Sequence, residues 1–69
     1  SQSTLDSKLN ENPVIVKVSA GPYGTHFLVI KEKKDGQYIM HDPWEGYDKK
    51  FSDFYSLGQI KEIGALVKN

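Results

Sequence analysis

His26 and Asp42 are the residues of this chain whose types and placement could do chemistry. They stand in YGTHFLVI and YIMHDPW, on either side of a predicted β-hairpin. An imidazole exchanges protons near neutral pH, and a carboxylate bonded to one ring nitrogen decides which nitrogen is left to do so. A Trp follows the acid by two positions. Together they read as the base-plus-orienter half of a hydrolytic site. The nucleophile half is not here, because the 69 residues include no Cys.

Whether the two side chains meet depends on hairpin register, since a one-residue slip sends a strand's side chains to the opposite face. The turn signal is KKDG. A two-residue turn at Asp35-Gly36 pairs Lys34 with Gln37, sets Val29 across from Asp42, and puts His26 and Asp42 on opposite faces. A three-residue loop with Gly36 left-handed pairs Lys33 with Gln37 and sets Leu28 across from Asp42. His26 is then the same-face diagonal neighbour of Asp42. Asp-Gly supports either turn; a Gly at the third loop position favours the longer one, and the chemistry requires that register.

The flanking elements follow from spacing and punctuation. Ser3 and Asp6 have capping-box spacing, with Asp in place of Glu, and predict a short helix carrying Leu5 and Leu9 on one face. Asn10, Asn12 and Pro13 stop it. VIVKV at 14–18 is β-branched apart from Lys17 and predicts a strand. The loop SAGPYG leads to strands over 25–33 and 37–42, the second ended by Pro43. WEGYDKK predicts a loop. FSDFYSLG predicts a short strand end and then a turn or one helical turn, capped by Ser52 or Asp53. Alternation over 59–67, through Leu66 and Val67, predicts a closing strand. The expected fold is α+β: a short N-terminal helix followed by a four-stranded, mainly antiparallel sheet, in a single domain over 1–69.

Composition excludes several roles. Nine basic and nine acidic residues give a formal net charge of zero. That balance argues against a nucleic-acid partner and gives no long-range pull toward anionic membranes. FLVI, the longest apolar run, is far short of a membrane span. The first residues lack the basic and apolar regions of a secretory leader. No cofactor motif occurs: the Gly21-Pro22-Tyr23-Gly24 loop lacks the phosphate-loop pattern and its Lys. It reads as a substrate-side loop or a plain turn, with Tyr23 and Gly24 its candidates for contact with substrate. His41 neighbours Asp42 and so faces the other side of the sheet, which argues against a metal site built from both histidines.

Order and spacing together resemble the papain-like cysteine peptidases, most closely the bacterial C39-like branch. LNENPVIVKV is similar to that family's helix leading into a Pro-Val-Ile type strand. HFLVI opening at His26, the Asp35-Gly36 turn, the aromatic strand ending in Asp42-Pro43, and Lys50-Phe51-Ser52 with Phe54 follow in the family's order. The resemblance covers nearly the whole chain and corresponds to the C-terminal half of such a domain. It implies the β half of a papain-like fold, His26 as general base, Asp42 as its orienter and Trp44 as a shield over the pair. It further implies a peptide or protein substrate and an extracytoplasmic or secreted setting. The family's nucleophile begins a long helix in the other half, beside an oxyanion-hole side chain, and neither is represented here. An N-terminal half or partner chain is therefore expected to supply the Cys helix; self-association or partial unfolding is the expected behaviour without it.

Each residue also has a plainer reading. His26 could be a strand residue satisfied by backbone, Asp42 an Asx-turn former, and Trp44 a cap on the core. Tyr23, Tyr47 and Tyr55 could line a peptide groove or serve as core and rim residues. A nucleophile-free C39-like domain that holds peptides without cutting them is the alternative function.

Overall fold

The computed structural model describes residues 2–65. Helix α1 (Gln2–Leu9) precedes strands β1 (Val14–Ser19), β2 (Thr25–Lys34), β3 (Gln37–Asp42), β4 (Gly46–Lys50) and β5 (Ile60–Ala65). The strands form one antiparallel sheet in the order β4-β3-β2-β1-β5. The fold is α+β as expected, but the sheet has five strands, not four. The extra strand is β4, which comes from the segment expected to be a loop. Four of its five residues are exposed, so it carries no apolar alternation to betray it. Leu66 and Val67, the expected end of the closing strand, lie outside the described residues.

Alternation builds the core on one face. Val14, Val16 and Val18 of β1, Leu28 and Ile30 of β2, and Tyr38 and Met40 of β3 are buried there with Leu5 of α1 and Phe51. Leu9 packs against the cluster from one turn beyond Leu5. Gln2 is already helical, so Ser3 lies within α1 rather than capping it. The Asp6 carboxylate accepts from the Tyr38 hydroxyl at 2.5 Å and Lys33 Nζ at 3.1 Å. Those bonds tie α1 to the hairpin and hold the Asp6 carboxyl below the ordinary range, the Tyr38 bond first.

A second expectation is corrected at the return from β4. Ser52 and Asp53 sit inside a 3-10 turn (Phe51–Asp53) whose start has no side-chain cap. The capping box of this region is one turn later, where Gln59 Oε1 accepts from the Ser56 backbone N–H at 2.8 Å. Gln59 Nε2 also donates to the Ser19 carbonyl at 2.9 Å, fastening this return to the end of β1.

The hairpin reaches the required register by an unexpected route. Its turn has two residues, not three: Lys34 pairs with Gln37, and Asp35 and Gly36 have φ of 52° and 78°. Two consecutive left-handed residues make the primed turn that Asp-Gly favours. Carried straight along the strands, that pairing would separate His26 from Asp42. A β-bulge between Ile30 and Glu32 inserts Lys31 as an unpaired residue, and beyond it Ile30 faces Met40 and Val29 faces His41. One step further, Leu28 stands beside Asp42, with His26 its same-face diagonal neighbour.

Lys31 is therefore expected to be dispensable to register. Its deletion leaves Ile30–Met40 and Glu32–Ile39 as consecutive pairs. It removes the exposed ion pairs of Lys31 with Asp48 and Glu32, which solvent screens. Cross-strand NOEs between His26 and the Asp42 region should survive the deletion; their disappearance would show that the bulge's local twist, not register alone, brings the pair together.

Candidate active site

The pair assembles at the rim of the sheet's core face. Gly21–Tyr23 form a 3-10 turn closed by Gly24, whose φ of 82° and ψ of −111° belong to a region L side chains avoid. The Gly24 carbonyl accepts from Ala20 N–H at 2.8 Å, which pinches the loop so that Thr25 starts β2 directly. His26 follows, pairing with Val18 and lying on the face that carries the core. Asp42 is the last residue of β3, where Pro43 ends the ladder.

His26 and Asp42 are the buried polar residues of the described chain, with 7% and 3% of their surface exposed. Their separation is 2.6 Å, from His26 Nε2 to Asp42 Oδ1. Oδ1 also accepts from the Trp44 backbone N–H at 2.8 Å, and Oδ2 accepts from the Tyr55 hydroxyl at 2.8 Å. Burial alone pushes the Asp42 carboxyl up. The Trp44 amide, the imidazole and the Tyr55 phenol outweigh it and hold the group below its ordinary value. Asp42 is thus an anion and can only accept. The ring nitrogen facing it must be the donor, and in the neutral imidazole the lone pair is left on Nδ1. That nitrogen makes no hydrogen bond among the described residues and, in a ring 7% exposed, is not fully enclosed.

Trp44 lies flat against the imidazole, with ring centroids 3.6 Å apart and planes 15° from parallel. It is 55% exposed and stands outside the core cluster, so it covers the histidine rather than capping the core. Tyr23 meets Trp44 edge-on at 5.9 Å and is otherwise open to solvent. The i to i+2 bond from Trp44 N–H is the Asx-type turn expected of Asp42, and it coexists with the bond to His26. Structural and orienting roles share one carboxylate.

His41 points to the other face, as its neighbour position requires. Its Nδ1 accepts the Asp48 backbone N–H at 3.2 Å, and Tyr47 packs edge-on against its ring. An open apolar groove of about 600 Å³ runs along that face, lined by Ile15, Phe27, Val29, His41, Pro43 and Tyr47. No group of metal-ligating side chains occurs among the described residues. Tyr47 lines this groove, which also reaches Asp42, and its ring packs on His41.

The residue that sequence reasoning missed is Tyr55. It was a candidate groove or rim residue, yet its hydroxyl completes the Asp42 site. The 3-10 turn Phe51–Asp53 aims it there, with Tyr55 N–H donating to the Phe51 carbonyl at 2.9 Å. No local pattern announces such a partner. The chain matches no protein-family model, no curated protein and no solved structure.

Asp42 variants should separate hydrogen bonding from charge. Asp42→Ala strands three donors and is expected to cost about 3–5 kcal/mol; Asp42→Asn keeps an acceptor for Trp44 and His26 and costs about 1–2 kcal/mol. Because the folded carboxyl titrates below its unfolded value of about 3.9, its stabilisation is complete above that pH and is lost as pH falls through the lower folded value. Urea melts between pH 2 and 6 check this: wild type should lose its advantage over Asp42→Asn on acidification. A gap independent of pH would contradict the assignment.

Proposed function

We propose that this chain is the His/Asp-bearing half of a C39-like, papain-fold cysteine peptidase, and that its sheet is the β half of that fold. The observation that carries the reading is the 2.6 Å bond between His26 Nε2 and the buried Asp42 carboxylate, which leaves Nδ1 as the nitrogen for proton transfer. A thiol from a segment outside these 69 residues would give its proton to Nδ1. The resulting thiolate attacks the peptide carbonyl, and the imidazolium returns the proton to the departing amine. Water then enters through the same nitrogen and releases the acyl group. Asp42 holds the ring in place and faces its positive charge throughout, while Trp44 keeps water from one side of the pair.

One further observation fits the reading. Phe27 and Tyr47 are 56% and 77% exposed on the second face, beside Ile15 and Val29, which is more apolar surface than the outer face of an antiparallel sheet ordinarily shows. A second half or a partner chain would cover such a face. The absence of Cys from these residues favours one rival, a C39-like module that binds peptide without cutting it.

The test is peptide hydrolysis and iodoacetamide inactivation of the intact polypeptide that contains this chain. His26→Ala is expected to lower kcat/KM by roughly 10²–10⁴-fold. Asp42→Asn should lower it less, and iodoacetamide should abolish it. Turnover indifferent to His26→Ala would refute the peptidase reading, and tight peptide binding with no turnover in wild type would establish the binding module in its place.

A further inference from the structure

We propose that Tyr55 is a positioning residue of this site: its hydroxyl locks the plane of the Asp42 carboxylate and through it the direction of the His26 ring. The inference rests on the base role given to His26 above. It starts from how the three donors divide between the two oxygens. His26 Nε2 and Trp44 N–H converge on Oδ1, at 2.6 Å and 2.8 Å, and Tyr55 is the donor to Oδ2, at 2.8 Å. A carboxylate held through one oxygen can still turn about its Cβ–Cγ bond, a broad torsion with little intrinsic preference. A second anchor on the other oxygen removes that freedom. The imidazole then has a fixed acceptor, and Nδ1 a fixed direction.

Tyr55 is itself well placed to act this way. Its ring packs against Phe51 at 5.5 Å and belongs to the partly buried fringe of the core. The backbone bond to Phe51 sets its approach, so the hydroxyl arrives on a braced side chain and not a free one. Burial first, and then the Asp42 bond, push the phenol above its ordinary range, so it remains a donor wherever His26 could work. The same bond withdraws electron density from Oδ2, which helps keep the proton on the imidazole when the ring is charged. Trp44 N–H cannot substitute, because it competes for Oδ1.

The experiment uses the 69-residue chain, following the Asp42 carboxyl carbon by ¹³C NMR and the Nε2–H proton by its downfield resonance. Tyr55→Phe should shift the Asp42 titration upward and broaden or lose the Nε2–H signal, with folding retained. Ser52→Ala, which removes an exposed hydroxyl bonded to Gln37 and away from the pair, should change neither. Placing 3-fluorotyrosine at position 55, a stronger donor of nearly equal size, should move Asp42 in the opposite direction, and this holds the test open if Tyr55→Phe fails to fold. An Asp42 titration and Nε2–H signal unchanged by both substitutions would overturn the proposal while leaving the His26–Asp42 pair intact. A wild-type chain without a bonded Nε2–H would instead overturn the base role and the proposal with it.

Discussion

A carboxylate with almost no exposed surface is the constraint on which this small domain turns. Asp42 would be costly to bury alone, by several kcal/mol. The chain meets that cost with three donors from three separate places: β2, the turn after β3, and the return from β4. Each donor requires its element to be correctly placed. The bulge absorbs Lys31 as the extra residue of β2 so that His26 stays in register with Asp42, Pro43 ends β3 so that Trp44 N–H can turn back, and the Phe51–Asp53 turn delivers Tyr55. Satisfying one anion thereby fixes the geometry of the whole rim.

The consequence is an imidazole whose two nitrogens differ. One is committed to Asp42, and the other makes no hydrogen bond among the described residues. Here Trp44 lies 3.6 Å from the ring, and Tyr23 braces Trp44 from the side. Rigid support of a group left with an open lone pair is the arrangement that proton transfer asks for.

Much of the fold was legible because its signals are local. Valines at 14, 16 and 18, the Gly-Pro-Tyr-Gly loop and Asp35-Gly36 mark β1, the start of β2 and the hairpin tip by steric preference alone. His26 and Asp42 were also legible, through residue type and a register argument. The pairing itself comes from a two-residue turn and a bulge, which together do what a three-residue loop would have done. Bulges leave no compositional trace when the extra residue is an exposed Lys. β4 was missed because an edge strand with four exposed residues looks like a loop. Tyr55 was missed because its role exists only across 13 positions of sequence, in three dimensions. Ser3 and Asp6 had the spacing of a cap, but the Tyr38 hydroxyl and Lys33 give the Asp6 carboxylate partners that spacing cannot reveal.

The most direct measurement of the central claim is the tautomer of neutral His26, read from long-range ¹H–¹⁵N correlations of the uniformly labelled chain. This account predicts a single species with Nε2 protonated and Nδ1 bare, while His41, whose Nδ1 accepts from Asp48, serves as an internal reference in the same spectrum. A protonated Nδ1, or a rapidly exchanging mixture at His26, would mean that Asp42 does not command the ring, and the site would lose its claim to be a poised base.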